Sequence, residues 1–178
     1  MNPESVIVPR NNLNQHVCRA VLVAPDIKTL PNGTVVNQVL LQYRPSWSKQ
    51  YPNTLALPGG KMEERDFSYI LRAAIQPGNL PFTLQEIIEA GAETTARELN
   101  EELGIILAAQ ELFYIGSKTN GAWKTHAYLA QLAEKPEVVV KPDSNGVFWM
   151  EVRNVLQGRP RMLPGNLYLA RKAISQTT

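Results

Sequence analysis

The sequence predicts an α/β domain, and three observations carry that reading. Short apolar stretches rich in Val, Leu, Ile and aromatic residues recur along the chain, separated by Gly, Pro and Asn. One long segment after Thr83 carries a helical apolar stripe and closes on Gly104. The chain has 178 residues, 44% hydrophobic and 19% charged, which is enough for one substantial core and globular in composition. A single domain over residues 1–178 is expected.

The elements follow in order. Val17–Ala24 reads as a strand, and Pro31-Asn32-Gly33-Thr34 as a turn. Gln38–Arg44 is a second strand that can close a hairpin with the first. Leu55–Leu57 is a short strand that leads into Pro58-Gly59-Gly60. Asp66–Ile75 reads as a short helix, and Gln76–Pro81 as a turn from its Pro and Gly chemistry. Thr83 is a candidate N-cap, with Glu86 three residues on to complete a capping box. Beyond Gly104, strands are expected at Glu111–Gly116, Lys124–Gln131 and Val147–Met150. A short helix at Glu151–Leu156 and a C-terminal one at Asn166–Ser175 complete the chain. Residues 133–146 form a polar connection containing Pro136, Pro142 and Asp143.

Charge and cysteine content exclude several classes. A net charge of +2 is too mild for a nucleic-acid binder, although it suits a site that attracts small phosphorylated anions. Cys18 is the sole cysteine, so no internal disulfide framework exists, and within an apolar strand it reads as a small core residue. The N-terminus lacks a basic region followed by an apolar run, and no stretch approaches 18 apolar residues. A soluble cytoplasmic protein without membrane contact is expected. Gly60-Lys61 is followed by Met62 and lacks P-loop spacing, and two histidines with one cysteine cannot build a usual zinc cluster. His126, on a strand, reads as packed rather than catalytic.

The densest chemistry lies in Arg97-Glu98-Leu99-Asn100-Glu101-Glu102-Leu103-Gly104-Ile105. With about 100° per residue, Ala92, Thr95, Ala96, Leu99 and Leu103 form one buried stripe. Glu98, Glu101 and Glu102 then fall together on a flank of that stripe, pointing into one small volume. Like charges that close repel unless a cation lies between them, and a hard divalent ion suits such oxygens. The alternative is a solvated face in which Arg97 pairs with Glu93 or Glu101.

Residues 89–105, together with Leu57-Pro58-Gly59-Gly60-Lys61 upstream, resemble the Nudix box, G-x5-E-x7-R-E-U-x-E-E-x-G-U, where U is a bulky aliphatic residue. Glu89 to Ile105 fit it without a gap. Between Gly60 and Glu89 the chain is much longer than the box allows, so residues 64–86 read as an insertion, either a tolerated surface loop or a lid or dimer contact. Asp66 stands at the box spacing from Gly60 and Glu89 at the box spacing from Arg97. Either can fill the first-glutamate role.

The resemblance implies a Nudix-like α/β/α sandwich with a mixed β-sheet. It implies a metal-dependent pyrophosphohydrolase that cleaves a phosphoanhydride in a nucleoside diphosphate linked to another moiety. Mg²⁺ or Mn²⁺ would be held by Glu98, Glu101, Glu102 and the carbonyl of Gly60, with Arg97 orienting a glutamate. Glu98 and Glu101 are the general-base candidates in the box, and Asp143 the one outside it. Arg44 and Trp123 are the candidate substrate contacts, since an arginine grips phosphate and an aromatic ring stacks on a base. The expected partner is a small-molecule nucleotide, with no nucleic acid or membrane, and a homodimer is compatible with the insertion. The competing reading is a catalytically silent Nudix-fold module that binds a nucleotide or a protein.

Overall fold

The computed structural model describes residues 15–26, 35–44, 46–48, 51–67, 82–140, 146–163 and 165–177. The expected turn at 31–34, most of the helix expected at 66–75, the turn at 76–81 and Asp143 lie outside them.

Six strands form a mixed sheet: β1 (His16–Asp26), β2 (Val36–Tyr43), β3 (Leu55–Ala56), β4 (Phe113–Asn120), β5 (Trp123–Gln131) and β6 (Val147–Glu151). The order is β3-β2-β1-β5-β4, with β6 also on β2. β1 and β5 run parallel, while β1–β2, β2–β3, β2–β6 and β4–β5 are antiparallel. The expected hairpin forms, with Val23 opposite Val39 and Asp26 opposite Val36.

Why β1 is a near-continuous apolar run follows from the layers. Cys18, Ala20 and Leu22 pack in one core and Val21 and Val23 in the other, because successive side chains face opposite sides of a sheet. Helix α1 (Leu84–Leu103) closes the first core with Ile87, Ala90, Leu99 and Leu103. Helices α2 (Val152–Leu156) and α3 (Asn166–Ile174) close the second with Val155, Leu169, Ala170, Ala173 and Ile174. The result is the α/β/α sandwich that the sequence predicts. None of the helices is long and apolar enough to cross a membrane among the described residues.

Helix α1 starts and stops where its sequence dictates. Thr83 and Glu86 form the reciprocal capping box, and Gly104 ends the helix at φ 67°, where a side chain would be strained. Of the predicted stripe, Ala92, Thr95, Leu99 and Leu103 are buried and Ala96 packs partly against the core. Gly91 lets the helix approach β5: a Cβ there would stand 2.0 Å from the Tyr128 hydroxyl, which donates to the Ile88 carbonyl. Cys18 is the core residue expected, and burial pushes its thiol pKa up, out of the reactive range.

The described ends of the expected 64–86 insertion pack into the main body. Residues 64–67 form a 3-10 turn whose Asp66 and Phe67 are buried, and Phe67 stacks on Phe82 with centroids 4.1 Å apart. Both rings belong to the α1 core, and Thr83 and Glu86 cap its helix. Residues 64–67 and 82–86 are therefore structural parts of the main body. Apolar burial on both sides of the gap reclaims these ends, which their polar neighbours disguised in the sequence.

His126 is packed, as expected. It is fully buried, its Nε2 lies 2.9 Å from Nδ1 of His16, and the rings stack at 5.1 Å. Burial, then the neighbouring His16 and Lys124, lower its pKa from 6.5 to about 3. The unfolded state thus binds a proton that the folded state refuses. This stabilisation is complete above pH 6.5 and lost as pH falls toward 3. Unfolding free energy from denaturant titrations is expected to drop between about pH 7 and 5, by up to roughly 1.4 kcal/mol per pH unit. A flat profile over that range would refute the buried neutral pair.

Candidate active site

The site is assembled where the lower half of β1 meets the glycine loop and α1. The amide of Cys18 donates to the Gly60 carbonyl (2.8 Å), that of Ala20 to Pro58 (2.9 Å), and that of Met62 to His16 (3.0 Å). The loop thus continues the sheet beside β1. Gly59 has φ 129°, and a Cβ there would meet the Cys18 carbonyl oxygen at 2.3 Å, so only glycine fits. Gly60 leaves room for Glu98: an added Cβ would lie 2.1 Å from its carboxyl carbon.

Arg97 is the hub. Its Nε donates to Asp66 Oδ1 (2.8 Å) and its Nη2 to Asp66 Oδ2 (3.2 Å), a two-point pairing of guanidinium with carboxylate. Its Nη1 donates to Glu98 Oε1 (2.8 Å) and Glu101 Oε2 (3.0 Å), and Nη2 also reaches the Lys61 carbonyl at 3.3 Å. Burial disfavours the Arg97 charge, but Asp66 and Glu98 outweigh it and raise the pKa. Asp66 is further held by the Thr94 hydroxyl (2.8 Å) and the Glu63 amide (2.8 Å). Side-chain exposure is 16% for Arg97 and 3% for Asp66, so this ion pair is enclosed.

Asp66, not Glu89, is the carboxylate that meets Arg97. Glu89, half-buried on α1, accepts from Gln85 Nε2 (2.7 Å). Asp66 stands at the box spacing from Gly60, with aspartate where the pattern has glutamate.

The three glutamates take different partners. Glu98 lies against Gly60; Glu101, 43% exposed, is directed at Arg97 and Arg65; Glu102 accepts from Gln42 Nε2 on β2 (3.3 Å). Among the described residues no three His, Cys, Asp or Glu side chains stand close enough to hold an ion. Arg97 Nη1 lies between Glu98 and Glu101 and offsets the repulsion of those two carboxylates. The donors still fit a hard divalent cation in kind. Glu98 and Glu102 are one helical turn apart, and the Gly60 carbonyl keeps one lone pair beyond its bond from Cys18.

The substrate-contact candidates lie at the margins. Trp123 opens β5, with the Lys61 ammonium 5.2 Å from its ring centroid, so it borders the glycine loop. Arg44 follows β2, bonds Ser48 Oγ (2.6 Å), and is within electrostatic reach of Arg19. Tyr128 and Trp149 are core residues, the former buried and the latter partly so. The sequence reading missed Arg19, whose Nη1 donates to the Leu57 carbonyl (3.3 Å) and the Gly59 carbonyl. The signal was available: a lone charge within the apolar run Val17–Ala24.

No family model matches the sequence, and a search of curated proteins returns no similar chain. Among solved structures, the chain is similar to the Nudix hydrolase RenU from M. smegmatis, with TM-score 0.56 and 19% identity over 98% of this chain and 94% of that one. It is similar to a MutT/nudix family protein from Enterococcus faecalis, with TM-score 0.65 and 16% identity over 99% of this chain, spanning 64% of that one. It is also similar to the Nudix domain of Shewanella oneidensis NrtR complexed with ADP ribose, with TM-score 0.63 and 17% identity over 92% of this chain and 88% of that one. The fold is that of the Nudix hydrolases.

Proposed function

We propose that this protein is a metal-dependent pyrophosphohydrolase acting on a nucleoside diphosphate linked to another moiety. The observation that carries the reading is the Asp66–Arg97–Glu98 array locked against Gly60. Glu98, Glu102 and the Gly60 carbonyl would hold Mg²⁺ or Mn²⁺, with Glu101 joining them on leaving Arg97 and Arg65. When bound, the ion would neutralise phosphate charge and activate water. Arg97 fixes the Glu98 carboxylate through its Nη1 while Asp66 holds the other edge of the guanidinium. Glu98 or Glu101 accepts the proton of the attacking water. Trp123 stacks on the base, and Arg44 grips a phosphate. The ADP ribose bound by the NrtR domain makes that molecule the first substrate to try.

A second reading, binding without turnover, is favoured by the pairing of Glu101 with Arg97 and Arg65. One assay separates the two. Product release is measured over ADP-ribose, NADH, coenzyme A, dinucleoside polyphosphates, nucleotide sugars and oxidised dNTPs, with Mg²⁺, with Mn²⁺ and in excess chelator. Hydrolysis of at least one compound is expected, and chelator should abolish it. Activity undiminished in chelator excludes the metal mechanism; binding of a panel member without hydrolysis selects the second reading.

A further inference from the structure

We infer that Arg19 is a positioning residue that sets the glycine loop in register with the glutamates of α1. The inference rests on the metal-dependent reading above. Residues 57–60 present four successive carbonyls. Amides of β1 take two of them, Pro58 from Ala20 and Gly60 from Cys18. Arg19 Nη1 takes the two that remain, Leu57 at 3.3 Å and Gly59 in a shorter bond. One side chain thus completes the hydrogen bonding of the whole loop, including the peptide that precedes the Gly60 carbonyl.

The same guanidinium is tied to the helix by charge. Burial lowers its pKa, Glu102 is the main group that opposes this, Arg44 adds to the lowering, and Glu98 also supports the charge. The loop that Arg19 holds abuts α1 directly, since Gly60 lies against the Glu98 carboxylate. Its removal would unpair the Leu57 and Gly59 carbonyls without touching a ligand atom. Supporting groups of this kind set metal affinity, commonly by about 10–100-fold. Lysine keeps the charge, but its ammonium on a flexible stem cannot reproduce the planar fork.

Mn²⁺ titration followed by electron paramagnetic resonance tests this on the wild-type protein, Arg19→Lys and Arg19→Gln, alongside circular dichroism and melting curves. Both variants are expected to fold at the titration temperature. Arg19→Gln should bind Mn²⁺ about 10–100-fold more weakly than wild type, with Arg19→Lys between them. Folded variants that bind Mn²⁺ as wild type does would overturn the inference and leave Arg19 a purely structural group. If Arg19→Gln does not fold, Arg19→Lys decides by the same criterion; if neither folds, the inference falls. A wild-type protein that binds no Mn²⁺ defeats the metal-dependent reading itself, and the inference with it, which the variants alone could not do.

Discussion

Glu102→Gln is expected to reduce turnover by several hundred- to a thousandfold while leaving the protein folded. A glutamine keeps the size of the side chain and can keep the contact with Gln42, so little packing changes. What disappears is a charge that would bind the ion in the proposed mechanism. Metal ligation stabilises transition-state charge by several kcal/mol, and a loss of about 3–4 kcal/mol corresponds to that rate factor. The fold should register the change slightly. Relief of repulsion with Glu98 favours the variant, whereas Arg19 loses the main group that supports its charge. A melting temperature within a few degrees of wild type is therefore expected. Turnover at saturating Mg²⁺ and the metal-free melting temperature are measured together. A drop in turnover below about tenfold removes Glu102 from the ligand set, and a steep fall in melting temperature makes it structural.

Asp66→Asn is expected to be the most destabilising single change at the site, and Glu89→Gln the milder of the two. Asp66 is almost fully enclosed and receives two bonds from Arg97, one from Thr94 and one from the Glu63 amide. Removing its charge leaves Arg97 with Glu98 and Glu101 but without its two-point partner, which costs about 1–3 kcal/mol. It also frees Arg97 to turn from Glu98, so activity should fall even where the protein remains folded. Glu89 is half-buried and meets Gln85 rather than Arg97, so its substitution should cost less than that of Asp66. Denaturant unfolding of the two variants settles which carboxylate serves Arg97. Equal stability of both would show that the Asp66 pairing does not hold in solution.

The sequence alone determined the elements and the chemistry of the central helix. Periodicity and capping located α1 within a residue of its ends, because the Thr83–Glu86 box and the Gly104 cap act over a few residues. The apolar runs located the other strands for the same reason, but β4 runs from Phe113 to Asn120 rather than over Glu111–Gly116, because Glu111 ends a 3-10 turn and the polar residues 117–120 pair with β5. The types and spacing of Arg97, Glu98, Glu101 and Glu102 were likewise legible as one helical flank.

Tertiary structure alone decided which of these side chains meet. Asp66 and Arg97 are 31 positions apart, and two carboxylates fitted the spacing equally well. Only the packing of Phe67 and Phe82 into the α1 core brings Asp66 to the guanidinium. The partners of the three glutamates were also decided there: Arg97 takes Glu98 and Glu101, and Gln42 of β2 takes Glu102. Arg19 reaches the loop across 38 and 40 positions, and His16 finds His126 across 110. Contacts of that range leave no periodic trace, since they arise when separate elements close around shared cores and each buried polar group must find a partner.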